Sequence, residues 1–348
     1  MSAADSANAT RDQGQPGPGY AASFALCISW VTQAKSQNKF LGHSEFTFSF
    51  ALPRPVPVWS GMPQVQSQPS RFTVPFLRWA GSKRKLLPKL VPFWGHDYKR
   101  YLEPFAGSSA FFFALAPEKA ILSDINEELI EALTYVRDAP TEIHTRLCKL
   151  KRTKTEYYRI RAQDKELLDP KTRAVRFIYL NRYCFNGLYR TNLKGQFNVP
   201  YAASRTGAIP PLEVFIENAS RLEAAKLICG DFDSVVRAEV TAGDFVYLDP
   251  PYAVENRRIF SQYGPQTFGL NDLEKLKLLL EHIDAVGASF LLSYADCKES
   301  RALGAEWRHR RVYTQRNIAG FVKHRRRAAE TIITNIDTDL RRKQWPTS

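Results

Sequence analysis

The chain has only two methionines, Met1 and Met62, and no Cys-x-x-Cys pair among its five cysteines. Cys27, Cys148, Cys184, Cys229 and Cys297 are scattered and odd in number, which argues against a disulfide framework or a structural zinc site and for a reducing compartment. No metal is expected. No uninterrupted apolar run reaches the roughly 18 residues that span a bilayer, and the start lacks the basic-then-apolar pattern of a secretory signal. A cytoplasmic protein without a membrane partner is expected. Acidic residues are also short: 35 Asp and Glu face 49 Lys and Arg, a net charge of +14. That surplus favours a polyanionic partner through steering and counterion release, and says nothing about fold. The 44% hydrophobic and 12% aromatic content supplies ample core for one large domain or two modest ones.

Residues 1–75 differ from the rest. They hold eight of the 21 prolines and few charges, and Asp12-Gln13-Gly14-Gln15-Pro16-Gly17-Pro18-Gly19 reads as linker. Phe46-Thr47-Phe48-Ser49-Phe50 alternates like a strand until Pro53, Pro55 and Pro57 interrupt it. Met62 precedes the patterned region, so residues 1–61 read equally as an added module or as a mis-assigned start, and 1–75 as a poorly ordered extension. From Phe76 strands and helices alternate. Strands are expected near 100–104, at Ala120-Ile121-Leu122 ending on Asp124, and near 226–229, 245–248 and 289–293. Helices are expected from Ala110 to Leu115, from Glu127 to Tyr135 and over 271–284, with β-ribbon near 311–336. The block 140–223 reads as mostly helical. This pattern predicts an α/β, doubly wound parallel sheet drawn from 76–138 and 224–340, an inserted helical domain at 139–223, and a tail at 341–348.

The chemistry concentrates at Asp249-Pro250-Pro251-Tyr252, which ends the apolar run Phe245-Val246-Tyr247-Leu248. Prolines fix φ and lack an N–H, so the ladder stops and the backbone stays open at the strand's carboxyl edge. Ligands bind at that edge in open α/β sheets. The Asp249 carboxylate and the Pro250 carbonyl can each accept one hydrogen bond from an exocyclic amine while Tyr252 stacks on a flat base. Taken alone, the same four residues read as a strand followed by a diproline turn. Upstream, Glu103 to Ser109 reads as a strand turning through a Gly107-containing loop into a helix, a setting for a close-approaching anionic ligand. Asp124 closes the next strand, where a carboxylate can accept from ribose hydroxyls or cap the helix that follows.

Further segments accompany these: Phe76-Leu77-Arg78-Trp79-Ala80-Gly81-Ser82-Lys83, Tyr101-Leu102-Glu103-Pro104-Phe105-Ala106-Gly107-Ser108-Ser109, Leu122-Ser123-Asp124-Ile125-Asn126, and Tyr179-Leu180-Asn181-Arg182-Tyr183-Cys184-Phe185-Asn186-Gly187-Leu188-Tyr189-Arg190. In order and rough spacing, the chain resembles the Dam-type (D12 class) DNA adenine-N6 methyltransferases over about residues 76–340. The resemblance implies a Rossmann-like methyltransferase sheet, a DNA-recognition subdomain at 139–223, S-adenosylmethionine as cofactor and double-stranded DNA as partner. It further implies a monomer near the bacterial nucleoid, with a cognate restriction endonuclease possible.

The implied cofactor residues are Trp79, Lys83, Glu103, Phe105, Gly107, Asp124, Asp231, Phe232 and Asp249, with Lys83 neutralising the methionine carboxylate and Asp231-Phe232 flanking the adenine. Ser109 departs from the pattern, standing where a second glycine is usual. Asp249, Pro250 and Tyr252 carry the catalysis, and Asp in first place favours adenine over cytosine. A base within a duplex cannot reach them, so flipping is expected at a cost of a few kcal/mol of unstacking. Phe185 matches an aromatic wedge, Arg190 a guanine-reading arginine, and Leu188 and Pro200 apolar base contacts. Asn186 belongs to the same hairpin, and Arg78 stands where a lysine often touches the first guanine. Arg325-Arg326-Arg327, with Glu330, resembles a late basic motif that grips phosphates. The resemblance at these positions implies a target of GATC or a related site. The alternatives are an RNA adenine-N6 methyltransferase and a catalytically silent DNA-binding protein.

Every one of these motifs lies after residue 75. A chain starting at Met62 is therefore expected to fold and methylate DNA like the full chain, measured by methyl incorporation. Insoluble or inactive protein would show that residues 1–61 complete the domain.

Overall fold

The computed structural model describes residues 72–95, 97–203, 207–252, 268–315 and 327–337. The expected strand at Phe46–Phe50, the linker and the tail lie outside them, as do Arg325 and Arg326. Seven strands form one sheet among the described residues: β1 Tyr101–Glu103, β2 Ala120–Asp124, β3 Ala225–Cys229, β4 Phe245–Leu248, β5 Ser289–Ala295, β6 Arg308–Gln315 and β7 Arg327–Thr334. Their order is β3-β2-β1-β4-β5-β7-β6. The first five run parallel, and β7 lies antiparallel between β5 and β6. The helices are α1 Leu87–Leu90, α2 Ala110–Leu115, α3 Glu127–Asp138, α4 Pro140–Cys148, α5 Lys154–Arg161, α6 Pro170–Tyr183, α7 Leu212–Leu222, α8 Phe232–Glu239, α9 Leu270–Ala285 and α10 Lys298–Leu303. The fold is the expected doubly wound α/β sheet with helical insertion.

A strand buried on both faces reads as a continuous apolar run, and all four residues of β4 are buried. Pleating divides them. Phe245 and Tyr247 join Tyr101 and Leu122 on one side of the sheet, while Val246 and Leu248 join Leu102 and Ile121 on the other. The first core runs on without a break into the helical block, through Leu129 and Leu133 of α3, Phe177 and Ile178 of α6, and Phe215 of α7. The block at 139–223 thus shares one core with the sheet.

Helix starts follow local chemistry. Asn126 caps α3 by accepting from Leu129 N, and Glu127 and Glu128 sit in its first turn. Asp169 caps α6 with Pro170 at N1. Buried residues surround α6, which marks it as the central helix of the block.

The segment 74–79 lies outside the sheet, yet its backbone is satisfied by side chains. Phe76 N donates to Asn218 Oδ1 (3.0 Å), and Asn218 Nδ2 donates to Val74 O (3.1 Å). Arg182 Nη1 donates to Phe76 O at 3.2 Å. The amide of Asn181 takes both the N–H and the C=O of Arg78. Both asparagines are buried.

Ahead of β1, Arg100 grips Asp244 ahead of β4 with two bonds of 3.0 and 2.7 Å, and Asp244 is fully buried. Removing one partner of a buried pair costs roughly 3–5 kcal/mol, because the other charge is stranded. Arg100→Met is expected near the lower figure in urea unfolding, since Thr241 N and Oγ1 still donate to Asp244. A loss below ~1 kcal/mol, the level of an exposed pair, would show that this pair does not clamp the strands.

Candidate active site

Strand order reverses between β1 and β4, so the carboxyl ends of these two neighbours open into one crevice. The loop after β1 brings Phe105 and Gly107 there, β2 brings Asp124, and β4 brings Asp249, Pro250 and Tyr252. Trp79 and Lys83 arrive from the segment held by Asn181 and Asn218.

Gly107 has φ +48°, and a Cβ on it would lie 2.8 Å from the indole of Trp79. Trp79 therefore lies directly on this loop. Asp124 fixes the loop's other side: Oδ2 accepts from Gly107 N and Oδ1 from Asn126 N, each at 3.0 Å. The cap of α3 belongs to Asn126, which leaves Asp124 to the loop. Ser109 sits at φ +48° ahead of α2. That left-handed conformation, which costs roughly 1–2 kcal/mol for a residue with a Cβ, explains why glycine suits the position and shows that serine can fill it. Because α2 is only six residues long, the loop rather than a long helix dipole shapes this end of the site.

Lys83 is only 6% exposed, and its Nζ lies 2.7 Å from Asp249 Oδ1, 3.6 Å from Glu330 Oε2 and 3.0 Å from the Tyr252 hydroxyl. Burial alone would lower this ammonium, but Asp249, Tyr252 and Glu330 outweigh it and hold its pKa well above the usual lysine value. Lys83 is a buried cation paired with Asp249. Asp249 Oδ1 also accepts from Ser293 Oγ at 3.3 Å, and Ser293 bonds the Tyr247 hydroxyl at 3.0 Å. The ring of Tyr252 meets Tyr294 edge-on at 5.2 Å.

Two expected residues also have partners within the fold. Glu103 is buried and accepts from the Tyr101 hydroxyl at 2.9 Å, and burial pushes its carboxyl well above the ordinary range. Asp231 caps α8 by accepting from Asp233 N and Ser234 N. Phe232 joins Phe105 (5.0 Å) and Phe268 (6.0 Å) in an aromatic cluster beside the loop.

The segment 184–201 doubles back as a hairpin, with bridges Cys184–Tyr201 and Thr191–Phe197. Phe185, Asn186 and Pro200 are exposed, and Leu188 is half-buried. Arg190 Nε donates to Asn198 Oδ1 at 2.7 Å, which braces its guanidinium. Arg78 Nη1 donates to Arg182 O at 3.1 Å at the hairpin's root, and a Cβ on Gly187 would fall 2.7 Å from Arg78 Cβ. Buried Cys184 points its Sγ to the carbonyls of Asn181 and Leu188. Arg327 opens β7, on which Glu330 lies.

The sequence pattern of D12 class N6 adenine-specific DNA methyltransferases matches residues 79–318. The chain belongs to this family. Type II methyltransferase M1.LlaDCHI of Lactococcus lactis subsp. cremoris is 33% identical over 271 residues, covering 75% of this chain and 95% of the relative. Type II methyltransferase M.MjaIII of Methanocaldococcus jannaschii is 35% identical over 242 residues, covering 63% of this chain and 83% of the relative. A DNA adenine methylase of Haemophilus influenzae is 32% identical over 266 residues, covering 74% and 92%. Among the described residues no cluster of His, Cys, Asp and Glu is placed to hold a metal ion, and no helix is long and apolar enough to cross a membrane.

Sequence reasoning missed the parts that hold the candidate site together: Asn181 and Asn218 as backbone clamps, Tyr247 and Ser293 behind Asp249, and Glu330 beside Lys83. Ser293 carried a signal, being the lone polar residue within the buried run Phe290–Tyr294.

Burial raises the Asp124 carboxyl to about 6, against the bonds from Asn126 and Gly107 that favour its ionised form. The folded state therefore binds this proton more tightly than the unfolded chain. The contribution of Asp124 favours folding below about pH 4, its unfolded value, and is lost as pH rises through about 6. Carbon-detected NMR should find Asp124 titrating near pH 6, with the Gly107 amide shifting in step. A midpoint near the ordinary 3.9 would contradict the buried, loop-bound carboxyl.

Proposed function

We propose that this methyltransferase transfers a methyl group from S-adenosylmethionine to N6 of adenine in double-stranded DNA, on a base flipped out of the helix, within GATC or a close relative. The observation that carries this reading is Asp249, fixed at the carboxyl end of β4 beside the Gly107 loop, with Tyr252 and the Pro250 carbonyl next to it in the chain.

The residues present fit the cofactor. Gly107 leaves room that a Cβ would take from Trp79, and Asp124 offers a carboxylate to ribose hydroxyls above about pH 6. Phe105 and Phe232 offer ring faces to an adenine. Bound S-adenosylmethionine supplies an electrophilic methyl group on a positively charged sulfur. The protein's task is to make the adenine amine nucleophilic and to aim it. Asp249 and the Pro250 carbonyl accept the two N6–H bonds, which draws the nitrogen toward tetrahedral geometry and localises its lone pair. Tyr252 stacks on the base and returns roughly 1–3 kcal/mol of the unstacking cost. With the amine held so, the bound cofactor would give its methyl group to the N6 lone pair and leave as a neutral thioether, and the proton lost from N6 would pass to solvent. Positioning and electrostatics suffice, without a covalent enzyme intermediate.

The hairpin supports the target assignment. Arg190, braced by Asn198, suits bidentate contact with guanine O6 and N7, and exposed Phe185 suits the space left by a flipped base. Leu188, Pro200 and Arg78 complete the reading surface, with Asn186 beside them and Arg325, Arg326 and Arg327 on phosphates. The type II names of two relatives favour a restriction–modification setting with a cognate endonuclease.

Asp249→Ala is expected to abolish transfer while duplex affinity, carried mainly by phosphate contacts, stays largely intact. Retention of more than about a tenth of turnover, a barrier change under ~1.4 kcal/mol, would reject the role of Asp249. A modified-base map of a plasmid bearing every four-base site should place N6-methyladenine in GATC. Methylation mainly outside GAT contexts would overturn the target and leave the reaction standing.

A further inference from the structure

The reaction as derived makes no use of Glu330. This carboxylate is only 3% exposed, on the central strand of the β5–β7–β6 ladder, with Ala295 and Val312 as register partners. It lies 3.6 Å from Lys83 Nζ, on an ammonium that stands 2.7 Å from Asp249. Two carboxylates therefore share one buried cation, and the nearer of them is the group that must receive the adenine amine.

That sharing creates a conflict. Asp249 Oδ1 already accepts from Lys83 and Ser293, which leaves Oδ2 to an N6–H, on a carboxylate whose charge the ammonium still offsets. As the methyl arrives, positive charge develops on N6, and an ammonium held against Asp249 opposes it in a pocket of low dielectric. Nor can Lys83 be released alone, because a buried charge without a partner costs several kcal/mol.

We propose that Glu330 is a positioning residue that serves as the second seat of Lys83. When the adenine amine engages Asp249, the ammonium moves to Glu330, and the pocket keeps its net negative charge beside N6. A shift of about 1 Å on the flexible lysine stem closes the present gap to an ordinary charged hydrogen bond. This inference rests on the proposed N6-methyl transfer.

The test isolates the amine without requiring turnover. Affinity is measured, with S-adenosylhomocysteine present, for two mispaired duplexes that differ only in carrying adenine or purine, which lacks the N6 amine, at the target. Mispairing lowers the unstacking cost. The wild type should prefer adenine by about tenfold, the value of one good hydrogen-bonding group. E330Q should cut that preference to about twofold and lower the single-turnover methylation rate by about tenfold or more, with S-adenosylmethionine affinity unchanged. In a K83M background, where no ammonium needs seating, adding E330Q should change the preference no further. E330Q matching the wild type, or the double variant losing what the two single variants lose in sum, would overturn the proposal. If E330Q does not fold, E330D takes its place in the same cycle, because its shorter arm withdraws the seat. A wild type that methylates no adenine, or that shows no preference for it over purine, defeats the reaction reading itself. Failure confined to the E330 variants defeats only the seat.

Discussion

In a parallel sheet, each crossover must pack a helix on one face or the other. Where strand order reverses, as between β1 and β4, successive crossovers leave to opposite faces. No helix can then cover the carboxyl ends of those two strands, and the backbone there opens into a crevice. The Gly107 loop, Asp124 and Asp249 meet because they follow or end three adjacent strands, β1, β2 and β4. Arg100 and Asp244 tie the opposite ends of β1 and β4 through an ion pair in which the carboxylate is fully buried. Beneath lies an aromatic floor in which Tyr101, Phe111, Phe245 and Tyr247 touch at 4.8–6.3 Å.

The Asp249 carboxylate at the mouth of the crevice has its counter-charge in Lys83. Lys83 comes from outside the sheet, on a segment whose backbone bonds go to side chains of α6 and α7. Two buried asparagines do for residues 74–78 what a neighbouring strand would do, with amides that give and take one bond each. The helical block therefore has a second task besides presenting a hairpin: it holds the polypeptide that places Trp79 and Lys83.

The fold was largely legible in the sequence. Apolar runs ended by Asp124 and by Asp249-Pro250-Pro251 marked strands at the candidate site, and helices were expected where α3 and α9 lie. Local signals of this kind survive because they are written within one element. What escaped was non-local. Asn181 and Asn218 look like ordinary helix polar residues until the chain at 74–78 is laid against them, more than a hundred residues away in sequence. The resemblance implies a methionine carboxylate for Lys83, and it gave no sign that the ammonium also sits on Asp249. Only register shows why. β7 inserts antiparallel beside β5 and delivers Glu330, and β5 delivers Ser293, to the same carboxylate neighbourhood. Asp231 shows a role that is local instead, since it caps α8 by accepting from Asp233 N and Ser234 N.

Trp79 also joins the two working surfaces. One face of its indole lies against Gly107, and its ring stacks on Tyr189 at 6.3 Å and 15°. Tyr189 sits between Leu188 and Arg190 in the hairpin, and its hydroxyl donates to Glu128 at 2.7 Å. Glu128 in turn pairs with buried Arg176, whose guanidinium also donates to the carbonyls of Ile160 and Arg161 at the end of α5. A polar network in low dielectric holds its members to one arrangement, since any break strands a buried charge. Tyr189 cannot tilt without disturbing both the indole above the Gly107 loop and the carboxylate at the start of α3. The loop after β1 and the hairpin at 184–201 are therefore parts of one packed unit, and a displacement at either must be accommodated by the other.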